Sequence, residues 1–91
     1  MKIIEKVLDV SELFPPEPLE RAQEAVYQLE RGQYLLLKHR REPCLLYPLL
    51  DEEGFRHYTR ETEAGTVEVF ICRGDDADTI EFLRSKKGLK I

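Results

Sequence analysis

The sequence predicts a small α/β domain: an α+β two-layer sandwich with a mixed four-stranded sheet and two helices on one face. Three observations carry that expectation. Aliphatic runs at residues 3–10, 34–37 and 66–73 have the length and content of strands. Stretches around residues 19–29 and 45–50 place their apolar residues at helical spacing. The two kinds of segment alternate, as in β-α-β units whose strands run parallel. With 91 residues there is room for one domain with a modest core.

The first strand is expected over Ile3 to Val10. Pro15, Pro16 and Pro18 then interrupt the chain, and proline fits only the first turn of a helix, where its missing N–H has no partner anyway. From Leu19 the residues Ala22, Val26 and Leu29 recur on one face, so a helix is predicted to run until Arg31-Gly32. Tyr34 to Leu37 is a continuous apolar run suited to a buried strand. A second helix is expected after Arg41, with Pro43 early in it, Leu45, Leu46, Leu49 and Leu50 as its apolar face, and Gly54 as its stop. Pro48 conflicts with a helix that begins so early. Either the helix kinks there, or Cys44 to Tyr47 forms a separate turn and the regular helix starts near Pro48.

Phe55–Glu63 and Thr66–Arg73 are predicted to form a hairpin across Ala64-Gly65. Val67, Val69 and Ile71 alternate with Glu68, Phe70 and Cys72, leaving one aliphatic face and one mixed face. The mixed face should meet the C-terminal segment or a second subunit, where Ala77 to Lys87 is expected to form a short helix. The order is β-α-β-α-β-β over residues 1–74, followed by an extension over residues 75–91. Both helices would start at the C-terminal ends of the parallel strands, the end at which open α/β sheets bind ligands.

The net charge is −4, yet residues 31–41 carry Arg31, Lys38, Arg40 and Arg41 with no acid. An acidic chain is a poor non-specific nucleic-acid binder. Phe55, Tyr58 and Phe70 would offer a base-stacking surface on an open sheet face, but Glu61, Glu63 and Glu68 oppose it, so nucleic acid is not the expected partner. No apolar run approaches the length needed to span a bilayer, the opening residues lack the form of a secretory leader, and two cysteines do not make a disulfide framework. A cytoplasmic protein with reduced thiols is expected.

Leu8-Asp9-Val10-Ser11-Glu12-Leu13-Phe14-Pro15-Pro16-Glu17-Pro18 resembles the opening motif of TusA/SirA-like sulfur carriers, in which Leu-Asp is followed by Gly-Leu and a Cys-Pro-x-Pro helix start. Leu8, Asp9, Leu13, Pro16 and Pro18 stand at the matching spacing. The chain most resembles an uncharacterised (DUF-type) family of that superfamily, with Pro-Pro-Glu-Pro here and a His39-Arg40-Arg41-Glu42-Pro43 stretch after the second strand. The resemblance spans residues 3–73 and implies the TusA-like fold. It implies the activity far less, because Pro15 occupies the place of the carrier cysteine and Glu12 that of the glycine. A proline has no thiolate to accept sulfur.

The resulting expectation is a non-catalytic binding or adaptor module in a redox or sulfur-related setting. Its working edge would comprise Pro15, Pro16, Glu17 and Pro18 with His39, Arg40, Arg41 and Cys44, and it would receive a protein partner or a small anionic ligand. His39 and the arginines, with the following helix N-terminus, suit an anion, unless Glu42 neutralises them. Cys44, expected in the first helical turn beside these cations, is the candidate thiol for an alternative reading as a sulfur carrier. A small apolar packing role is its simpler interpretation. A second alternative is an RNA-binding module. His39, His57, Cys44 and Cys72 lack metal-ligand spacing, so no metal or other cofactor is expected. A homodimer is compatible with the mixed sheet face.

Overall fold

Strands β1 (Ile4–Asp9), β2 (Gln33–His39), β3 (Phe55–Glu61) and β4 (Val67–Arg73) form one sheet in the order β1-β2-β4-β3. This computed structural model describes residues 2–86. β1 and β2 are parallel, while β4 lies antiparallel to both β2 and β3, which makes the expected mixed sheet. Helices α1 (Glu17–Tyr27) and α2 (Leu46–Glu52) follow the two parallel strands, and α3 (Ala77–Arg84) follows β4.

Side-chain alternation sorts the core. Leu35 and Leu37 of β2 and Val67, Val69 and Ile71 of β4 pack with Ala22 and Val26 of α1 and Leu46 and Leu50 of α2. Leu37, Val69 and Ile71 are 0% exposed, and burying each such side chain contributes about 1.5–3 kcal/mol. The alternate residues Tyr34, Leu36, Phe70 and Cys72 join Tyr58 and Leu83 of α3 on the other face. The mixed face therefore meets the C-terminal segment. α3 adds a partial third layer to the two-layer arrangement, and the expected helical residue Lys87 lies outside the described residues.

Asp76 fastens that layer. It caps α3 and accepts hydrogen bonds from Thr79 N (3.2 Å), Thr79 Oγ1 (2.6 Å) and Gly32 N (2.7 Å), joining the helix start to the turn before β2. The β3–β4 hairpin closes as expected around Gly65, whose φ of 83° requires glycine-like freedom.

Two helix boundaries differ from expectation. α1 ends at Tyr27 rather than Arg31-Gly32. Gln28 N donates to Ala25 O and Leu29 N to Val26 O, tightening the last turn so that Leu29 drops into the core at 3% exposure. α2 begins at Leu46, not near Pro43. That start places Pro48 in the first turn, where it costs no hydrogen bond; an earlier start would put it in the helix interior. Of the two expected arrangements, the separate turn followed by a later helix is the one formed.

Candidate functional site

The loops after β1 and β2 meet at the C-terminal end of the parallel pair and enclose a cleft of about 400 Å³. One wall is Leu13, Pro15, Pro16 and Pro18 with Leu19; the other is Glu42, Pro43, Cys44 and Leu45. Leu37, Ala22 and Leu46, each no more than 1% exposed, form the floor. His39, Arg40 and Arg41 stand on the rim. Phe14 (72% exposed) and Leu45 (78% exposed) leave two large apolar side chains in solvent at this end.

Local chemistry explains the walls. Asp9 accepts a hydrogen bond from Ser11 N, and these Ser11 contacts hold its carboxyl below the usual carboxylate range. That turn closes β1, as Val10 N donates to Lys38 O at 2.9 Å. The Pro15-Pro16 peptide is cis, and Pro18 is buried at the second position of α1. Arg40 joins the walls: Nη2 donates to Leu13 O at 3.3 Å, and the guanidinium lies 5.3 Å from the centre of the Phe14 ring. On the far wall, the Tyr47 hydroxyl bonds to Glu42 (3.1 Å) and Thr59 (2.7 Å), while its ring stacks on His57. Burial pushes the Tyr47 phenol up to about 12, so it remains a neutral hydrogen-bonding group.

The electrostatics are cationic but not proton-rich. His39 Nδ1 accepts the Arg41 backbone N–H at 3.2 Å, which places the ring proton on Nε2. Burial, then Arg40 and Arg41, lower the His39 pKa below its ordinary value, so the ring is neutral at pH 7. Glu42 does not neutralise the arginines. Among the described residues, no carboxylate lies within ion-pair distance of Arg40 or Arg41.

Seven of the eight residues expected at the edge line this cleft; Glu17 does not, and pairs instead with Arg21 at 3.4 Å. The start of α2 spends part of its donor set locally: Cys44 N donates to Glu42 O and Leu46 N to Pro43 O, so these two amides are directed into the turn and not toward an anion. Cys44 accordingly precedes the helix rather than lying in its first turn. It is an exposed free thiol on the cleft wall, whereas Cys72 is buried on the opposite sheet face and burial pushes its thiol up to about 12.

Leu37, Ala22 and Leu46 were read only as core residues in the sequence, yet they also floor the cleft. Their helical or strand periodicity could not distinguish a packed position from one left open at its end. Phe55, Tyr58 and Phe70 do not share one open sheet face. Tyr58 and Phe70 are buried under α3, and Phe55 packs on the other face. Among the described residues, no group of three or more metal-ligating side chains is assembled, and no helix is long and apolar enough to cross a membrane.

The sequence profile of a family described as an uncharacterized conserved protein (DUF2249) matches residues 7–73, a span that includes both cleft walls and stops short of α3. No curated protein and no solved structure matches the chain.

Proposed function

The chain belongs to the DUF2249 family of uncharacterized conserved proteins, and we propose that it is a non-catalytic binding or adaptor module whose cleft receives an apolar group bearing an anionic end. The cleft itself carries this reading. Its floor and walls are chiefly aliphatic and prolyl, which suits an apolar body, and its cations are confined to one rim. Among the described residues Arg41 has no carboxylate partner, so its guanidinium fork is available to a carboxylate or sulfonate. Neutral His39 supplies an Nε2–H donor at the same rim. The resemblance of Leu8, Asp9, Leu13, Pro16 and Pro18 to the sulfur-carrier motif supports a sulfur- or redox-related setting in the cytoplasm.

Octanoate and octanol provide a matched pair of probes. Octanoate should raise the melting temperature more than octanol, and Arg40→Glu/Arg41→Glu should remove the difference while leaving a weak response to both. Equal responses in the parent chain would overturn the anionic half of the proposal.

One observation favours a second reading. Cys44 is the exposed cysteine of the two and lies on the wall of the same cleft. In a sulfur carrier, the Cys44 thiolate would attack the outer sulfur of a donor enzyme's persulfide, forming its own persulfide and releasing the donor thiolate. Intact mass after incubation with a cysteine desulfurase and cysteine tests this. One added sulfur atom, lost in Cys44→Ser, would replace the adaptor reading with thiol chemistry.

A further inference from the structure

Away from the cleft, on the sheet face beneath α3, three aromatic rings surround one cation. The Lys86 ammonium nitrogen lies 5.0 Å from the centre of Phe82, 5.6 Å from Phe70 and 5.9 Å from Tyr34. The Tyr34 ring stands 5.8 Å from Phe82 and 6.1 Å from Phe70, with planes tilted by 37° and 42° respectively. The Tyr34 hydroxyl donates to the Glu5 carboxylate at 2.6 Å, which sets a negative charge behind one wall. Tyr34 and Phe70 form a buried floor, while Phe82 is a wall at 40% exposure.

The spacing is informative. A methyl group on that nitrogen, one C–N bond of about 1.45 Å closer, would stand about 3.6–4.5 Å from the ring centres, near the optimum for carbon contacts. The rings therefore leave room for N-methyl groups at the place the primary ammonium now holds. We propose that Tyr34, Phe70 and Phe82 form a binding site for a quaternary ammonium group, occupied in this state by the chain's own Lys86. Aromatic enclosure is the means by which such cations are recognised, since they present no N–H for a directional hydrogen bond.

Lys86 can leave without dismantling the fold. Its backbone N–H is held by Leu83 O at 3.0 Å, while the amine sits at the end of a flexible stem. The other cation beside Phe70 is Arg60, 5.0 Å from the ring centre, and it is anchored to Glu68 by bonds of 3.1 and 2.7 Å. The Lys86 position is thus the exchangeable one. This site is independent of the cleft reading.

The test is a titration of the full chain with tetramethylammonium chloride, against sodium chloride at equal ionic strength, following the aromatic proton resonances of Tyr34 and Phe82. Saturable shifts are expected, several-fold tighter in Lys86→Ala and lost in Lys86→Ala/Phe82→Ala. Phe82→Leu in place of Phe82→Ala retains apolar volume and controls for unfolding. No saturable shift in Lys86→Ala, or one that persists after Phe82 is removed, would overturn the site. Equal affinity in the parent chain and Lys86→Ala would overturn occupancy by Lys86.

Discussion

Replacing Asp76 by alanine should destabilise the domain by about 2–4 kcal/mol. The figure follows from what this carboxylate holds. It is 4% exposed and caps α3 through Thr79, and loss of such a cap costs about 0.5–2 kcal/mol. It also accepts the Gly32 N–H at 2.7 Å, and a buried donor left without a partner costs about 1–3 kcal/mol. Against a total stability of about 5–15 kcal/mol, this is a large fraction. Urea unfolding monitored by circular dichroism provides the assay. With a slope near 1 kcal/mol per molar urea, the midpoint should fall by about 2–4 M. Asp76→Asn, which retains one acceptor oxygen, should lose about half as much. Burial raises the Asp76 pKa, but bonds from Thr79 and Gly32 outweigh it and the net displacement is downward. Its ionised form therefore contributes fully above the unfolded carboxylate range, and the contribution fades as pH falls through the lower folded value. Asp76→Asn should flatten that acid limb. A loss below about 0.5 kcal/mol in Asp76→Ala, the scale of an ordinary surface change, would refute the reasoning.

The remaining predictions concern the site and its supports. His39 should titrate in NMR below the usual histidine range, because burial and two arginines disfavour its protonation. Its neutral folded form makes stability fall as pH drops below about 6.5, since the unfolded chain then binds the extra proton. An ordinary or raised His39 pKa would contradict the rim geometry. Under native conditions Cys44 should alkylate readily and Cys72 should wait for global unfolding, because only Cys44 is exposed. Peptide mapping of iodoacetamide adducts would show this, and equal labelling would contradict it. Gly74→Ala should cost about 1–3 kcal/mol, because a Cβ there would stand 2.3 Å from Gly54 O, an impossible approach without backbone movement. A melting temperature equal to that of the parent chain would show that the two turns are not in contact.

The sheet was legible in the sequence because its strands obey simple rules. Leu35 to Leu37 form an unbroken apolar run covered on both faces, and Val67, Val69 and Ile71 alternate with residues facing α3. The edge was legible because both parallel strands end beside their loops, which brings Pro15, Pro16 and Pro18 to His39, Arg40 and Arg41. Helix ends were not, since they depend on competition among neighbours. Leu29 leaves α1 for the core although its spacing fits the helix, and Pro48 sets the start of α2 against Pro43. The donor set at the start of α2 was hidden for the same reason: once the helix starts at Leu46, the Cys44 and Leu46 amides bond within their own turn. The aromatic enclosure of Lys86 had no signal in the sequence. It joins β2, β4, α3 and a residue shortly beyond that helix, and no spacing rule connects positions 34, 70, 82 and 86.

The central claim is that the cleft between residues 13–19 and 39–46 is a binding site for an apolar group with an anionic end. Amide chemical-shift mapping of the isotope-labelled chain during an octanoate titration tests it most directly. The account predicts saturable shifts concentrated at Leu13, Leu19, Ala22 and His39 through Leu46, with α3 silent and the affinity reduced about tenfold or more in Arg40→Glu/Arg41→Glu, the equivalent of about 1.4 kcal/mol. Shifts that do not saturate, or that centre on another face of the sheet, would contradict it.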